Sequence, residues 1–133
     1  MPTLAGESID LYGEQGRPVV LHLFTTWSLA SQLDIPQLED AQQEFGERAL
    51  IVGLALDREG AGLVGPWRRA NQITYKVALG GGDIAAGASP LGRIREVPTT
   101  VILSPDGRVA HWLARPLKER ELRRLLQSLL ASR

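Results

Sequence analysis

Two short apolar runs, Val19-Val20-Leu21-His22-Leu23-Phe24 and Ala49-Leu50-Ile51-Val52-Gly53-Leu54-Ala55-Leu56, constrain this chain more than any other feature. Neither alternates with polar residues, so each reads as a strand covered on both faces. Between them, Leu29, Leu33, Ile35, Leu38 and Phe45 recur at roughly helical spacing and predict a core-facing stripe. Thr26 or Ser28 offers a cap at its start, Gly46 a stop, and Pro36 predicts a kink within it. A second helix is expected over Leu63 to Gln72, with Trp67 as its largest anchor. Strand, helix, strand, helix implies parallel strands joined by right-handed crossovers.

The second half follows another rule. Ile73 to Leu79 predicts a short strand, and the small residues from Gly80 to Gly92 predict a loop with at most one helical turn. Pro98 to Leu103 and Arg108 to Leu113 are strand-like runs split by Ser104-Pro105-Asp106-Gly107, a tight-turn signal that makes them an antiparallel hairpin. Leu117 to Leu130 then predicts an amphipathic helix, its leucines at 122, 125, 126, 129 and 130 forming one face. Near the start, Ile9 and Leu11 flank a polar stretch ending in a turn cluster from Gly13 to Pro18. No repeat or linker divides the chain, and residues 1–133 are expected to form a single domain.

Composition removes several classes of function. Fifteen basic and fifteen acidic residues give a formal net charge of zero, so no overall field gathers nucleic acid. There is no cysteine, and His22 and His111 are the two histidines. A thiolate metal site is therefore impossible, and two histidines are too few for a zinc site unless carboxylates help. We expect no metal and no cofactor. No apolar stretch approaches the roughly eighteen residues of a membrane span, and the first residues lack the charged and apolar regions of a secretion signal.

Three motifs stand in a definite order. Phe24-Thr25-Thr26-Trp27-Ser28-Leu29-Ala30-Ser31-Gln32-Leu33-Asp34-Ile35-Pro36 resembles the F-W-A-x-W-C-x-x-C-x-x-E-x-P segment of thioredoxin-like proteins, with serine at both cysteine positions. Val97-Pro98-Thr99-Thr100 resembles their V-P-T-T element, and Ser104-Pro105-Asp106-Gly107-Arg108 their D-x-x-G-R hairpin turn. Together these are similar to the TlpA/ResA branch of thioredoxin-like redoxins, membrane-tethered or exported thiol-disulfide oxidoreductases. The resemblance covers the chain from about Val19 onward. It implies an α/β thioredoxin-like fold, a central mixed β-sheet flanked by helices on both faces.

The resemblance also implies roles for particular positions. Ser28 stands where the family has its exposed nucleophilic cysteine, and Ser31 where it has the buried resolving cysteine. A hydroxyl cannot form a disulfide, so neither role survives. Pro98 matches the family's cis-proline, Val97 presents backbone groups to an extended substrate, and Trp27 borders the same surface. Asp34 matches a family glutamate and is expected to have a minor role. His22 lies where thioredoxins place a buried acid, and a histidine departs from that pattern. Partners in the family are disulfide-bearing proteins or peptides; we expect a monomer, periplasmic or extracytoplasmic if a leader has been removed and cytoplasmic otherwise.

Simpler readings accompany these. Ser28 is also an ordinary N-cap, His22 a core histidine, and Trp27, Trp67 and Trp112 packing residues. The run Arg115, Lys118, Arg120, Arg123 and Arg124, interleaved with Glu119 and Glu121, suits the solvated face of the last helix. Gly80-Gly81-Gly82 lacks the lysine of a phosphate loop. Thr25 to Ser28 has a T-x-x-C-like spacing, but serine cannot reduce a peroxide, and no Ser-His-Asp set or G-x-S-x-G is evident. Two accounts of function remain: a disulfide reductase whose cysteines have been changed to serine, favoured slightly, and a naturally cysteine-less module that binds extended peptides or a partner protein.

Overall fold

The computed structural model describes residues 16–80 and 96–131. The expectations for Ile9 and Leu11, and for the loop over 81–92, lie outside the described residues. In chain order the elements are β1 (Val19–Phe24), α1 (Leu29–Gln32), α2 (Ile35–Phe45), β2 (Leu50–Ala55), α3 (Ala61–Ala70), β3 (Lys76–Leu79), β4 (Thr99–Leu103), β5 (Val109–Leu113) and α4 (Glu121–Ala131). The strands form one sheet in the order β3-β2-β1-β4-β5. β1 to β3 run parallel, while β4 is antiparallel to β1 and to β5, so the sheet is mixed.

The two apolar runs lie side by side at the centre, and every residue of β1 and β2 is buried. Side chains on a strand alternate between faces, so each run feeds two cores. On one face Val20, Phe24, Ile51 and Ile102 meet Leu38, Ala41 and Phe45 of α2, Val64 of α3, and Leu122 and Leu126 of α4. On the other, Val19, Leu21, Leu23, Leu50, Val52, Leu54, Val101 and Leu103 form a second cluster. Burying such a side chain fully contributes about 1.5–3 kcal/mol, which is why these runs set the architecture.

The helix predicted from Ser28 to Gly46 is two helices. α1 ends at Gln32 and α2 begins at Ile35, with Pro36 in its first turn, where a missing N–H leaves no hydrogen bond unmade. Pro36 therefore starts a helix and kinks none. The break changes the phase of the stripe: Leu29 and Leu33 are 77% and 72% exposed, against the expectation that they pack in the core. α1 turns Ser31 inward instead.

Elsewhere the boundaries move for local reasons. α4 begins at Glu121 and not at Leu117, because Pro116 and the left-handed Arg120, at φ 60°, interrupt any helix before it. β3 starts at Lys76, with Ile73 and Tyr75 of the preceding segment buried beneath it. At the β4–β5 turn the Ser104 N–H donates to Arg108 O, and Gly107 takes φ 89°, a conformation that favours glycine. Asp106 binds the Ser104 hydroxyl and accepts the Arg108 N–H at 3.0 Å, which closes the predicted turn.

Candidate functional site

The loop between β1 and α1 is held by hydrogen bonds at the carboxyl end of the sheet. Parallel pairing aligns Phe24 with Ala55, so Thr26 and Asp57, each two residues beyond a strand end, become neighbours. Thr26 N–H donates to both Asp57 oxygens at 3.1 and 3.2 Å, and its hydroxyl donates to Oδ2 at 2.7 Å. Gln32 Nε2 donates to Thr26 O at 3.2 Å, tying α1 back to the loop. Sequence reasoning missed Asp57. The signal that reveals it is the equal offset of Thr26 and Asp57 from two parallel strands, which requires the register to be known.

Within this frame the two serines differ. Ser28 Oγ accepts the Ser31 N–H at 3.2 Å, so Ser28 is the N-cap of α1. Ser31 is 1% exposed, and its hydroxyl has no hydrogen-bond partner among the described residues. Trp27, between the Asp57-bound threonine and the cap, is 74% exposed. It is a surface residue here, and not one of packing. Trp67 does pack, stacking on Phe24 with ring centroids 4.8 Å apart.

Val97 and Pro98 reach the same end of the sheet through β4. Antiparallel pairing sets Thr99 opposite Leu23, which brings Pro98 level with Phe24, the last residue of β1, and Val97 level with Thr25, where the loop to α1 begins. The Val97–Pro98 peptide bond is cis. Pro98 is buried and Val97 half-buried. The topology thus brings Trp27, Ser28, Val97 and Pro98 to one end of the sheet, with Ser31 buried in the helix that follows.

Behind α1, His22 Nε2 meets Asp34 Oδ2 at 2.9 Å, and Asp34 Oδ1 accepts the Leu117 N–H at 2.8 Å. Asp34 thus joins β1 to the segment that precedes α4. His22 is a core histidine with one ring nitrogen bonded; its Nδ1 is buried without a partner among the described residues. Among those residues no group of three histidines, aspartates or glutamates could hold a metal ion, and no helix is long and apolar enough to cross a membrane.

Set beside solved structures, the chain superposes on a thiol:disulfide interchange protein of the thioredoxin family from Chlorobium tepidum with a TM-score of 0.82, at 22% identity, covering 98% of this chain and 91% of that one. StoA from Bacillus subtilis gives a TM-score of 0.76 at 21% identity, covering 93% of this chain and 92% of that one. This chain has the thioredoxin fold. A DsbF homologue from Corynebacterium diphtheriae, at 22% identity and a TM-score of 0.79 over 95% of this chain and 80% of that one, agrees. No family model and no curated protein matches the sequence. On this fold the segment from Phe24 through α1 carries Ser28 and Ser31, and with no cysteine in the chain it holds no thiol.

Proposed function

We propose that this chain is a thioredoxin-fold binding module that takes extended peptides or an extended segment of a partner protein on the face formed by Trp27, Val97 and Pro98. The observation that carries this reading is the division of labour between Ser28 and Trp27. Ser28 Oγ is engaged in capping α1, so this position is structural, while Trp27 beside it remains 74% exposed. Leu29 in α1 and Leu33 at its end are exposed as well, and exposed apolar surface marks interaction sites. Binding would need no electron transfer, because it uses backbone groups near Pro98 and the indole of Trp27.

The test is selection of random extended peptides on the purified chain and on Val97→Glu and Trp27→Ala. The chain should enrich peptides that neither variant retains. Failure to enrich, or equal enrichment by all three, overturns the reading.

A second reading is favoured by a different observation, the orphaned hydroxyl of Ser31. A buried thiol tolerates an apolar site that a hydroxyl does not, so this position suits the cysteine of a TlpA/ResA-type disulfide reductase. In Ser28→Cys/Ser31→Cys, the thiolate at 28 would attack a substrate disulfide, and the thiol at 31 would then release it. The two new cysteines would end as a disulfide and the substrate as two thiols. Its potential should fall within about −270 to −120 mV, the span of thioredoxin-fold oxidoreductases. A disulfide that forms but reduces nothing counts against this second reading.

A further inference from the structure

We propose that Asp57 is the positioning residue of the Trp27 surface: reaching across from the end of β2, its carboxyl group fixes the turn that holds the indole out for a partner. The inference rests on the binding reading above for what Trp27 meets, and on geometry alone for how Trp27 is held. Ser28 N–H donates to Thr25 O at 3.3 Å, which closes a turn over residues 25–28 with Thr26 and Trp27 at its two central positions. The peptide units before and after Trp27 each carry a hydrogen bond, one through Thr26 O, which accepts from Gln32 Nε2, and one through Ser28 N–H. The backbone on both sides of Trp27 is therefore engaged, while its side chain is 74% exposed.

These bonds differ in what they fasten the turn to. Those made by Gln32 and Thr25 stay within residues 25–32 and would move with the segment. Those to Asp57, from the Thr26 N–H and the Thr26 hydroxyl, reach 31 positions along the chain to a second strand end. Asp57 is itself braced. Just before it, Leu56 N–H extends the β1–β2 ladder to Phe24 O at 2.9 Å. Its own carbonyl accepts the Gly60 N–H at 3.4 Å, closing a turn into α3 in which Gly60 takes φ 64°, a conformation that favours glycine. The Asp57 side chain is buried, so its oxygens meet Thr26 with little competition from water.

The consequence for binding is one of order. An aromatic anchor that is fixed before a partner arrives loses less freedom on association, so affinity depends on the bonds that fix it. Without the Asp57 carboxyl, the Thr26 N–H and hydroxyl lose their partner, and the turn keeps only the bonds that move with it. Trp27 would then be presented in many orientations. Asp57 acts through Thr26 and need not touch the bound segment.

The test is amide-nitrogen relaxation of the full chain with Asp57→Ala, Asp57→Asn and Thr26→Val. The Trp27 backbone order parameter should fall from about 0.85 to below about 0.6 in Asp57→Ala, while that of Leu21 in β1 is unchanged. Asp57→Asn should match the unsubstituted chain, since its amide oxygen can accept the Thr26 N–H and its NH2 can donate to the Thr26 hydroxyl. Thr26→Val removes the hydroxyl bond alone and should lie between the two, which keeps the test decisive if Asp57→Ala does not fold. For one peptide enriched on the unsubstituted chain, the dissociation constant should rise roughly tenfold in Asp57→Ala and stay the same in Asp57→Asn. Order at Trp27 that survives both Asp57→Ala and Thr26→Val, an equal fall at Leu21, no rescue by Asp57→Asn, or an affinity that holds while order is lost each overturns the inference. If the unsubstituted chain enriches no peptide, the binding reading fails by itself, and the order parameters alone decide whether Asp57 positions Trp27.

Discussion

Ser28 and Ser31 lie one turn apart, and their hydroxyls have opposite energetic signs. The Ser28 Oγ satisfies an amide that the start of α1 would otherwise leave bare. Ser28→Ala should cost about 1 kcal/mol, the usual loss for an N-cap. The Ser31 Oγ is buried without a partner among the described residues, and an unsatisfied hydroxyl costs about 1–3 kcal/mol in a protein interior. Ser31→Ala should therefore raise the urea midpoint where Ser28→Ala lowers it. Two shifts of the same sign would contradict this account. The cap was legible in the sequence, since serine before a helical stripe is a local signal. The orphaned hydroxyl was not, because it depends on which side of a four-residue helix faces the sheet.

Among the elements, α4 is fixed at its start by charge. Glu121 Oε1 and Oε2 accept from Arg115 Nη1 and Nη2 at 2.8 and 2.7 Å, and Oε1 also accepts the Lys118 N–H at 3.0 Å. The hydrogen bonds from Arg115, above all, hold the Glu121 carboxyl down at about 2. A depressed carboxyl contributes stability that is complete above its unfolded pKa, about 4.3, and disappears as pH falls through its folded value. Glu121→Gln should thus lower stability by on the order of 1 kcal/mol at neutral pH, after allowance for solvent screening at Arg115. The gap between variant and parent, followed by urea unfolding, should close between about pH 4.5 and about pH 2. A gap that persists at the acid end would mean that the carboxylate does not hold the helix start.

The strands and the longer helices among the described residues were readable from pattern, but the division into α1 and α2 and the phase around Pro36 were not. A run of leucines at 29, 33 and 38 looks continuous in one dimension. The break at Leu33-Asp34 arises because Asp34 is drawn to His22 and Leu117, residues 12 and 83 positions away. Asp57 was hidden for the same reason, since its bond to Thr26 spans 31 positions and exists only through the β1–β2 register. Long-range pairing therefore decided what local pattern could not: which of the motif's residues face inward and which remain at the surface.

At the scale of the molecule, one sheet carries two cores, and β1 and β2 contribute to both. Neither core can be lost alone without exposing the strands that build the other, so the described parts of the sheet should unfold as one unit. Leu38 anchors α2 on one face and Leu21 lies in β1 on the other; both are completely buried. Leu38→Ala and Leu21→Ala should each cost about 2–5 kcal/mol. Since the two side chains belong to different clusters, the double variant should equal the sum within about 0.5 kcal/mol. The check is urea unfolding followed by far-ultraviolet circular dichroism and by tryptophan fluorescence, to which Trp67 reports from the Leu38 side. Coincident midpoints in every variant support a single cooperative sheet. If Leu21→Ala moved the dichroism transition and left the fluorescence transition behind, the two faces would be separate units, and the site at the end of the sheet would rest on the Leu38 face alone.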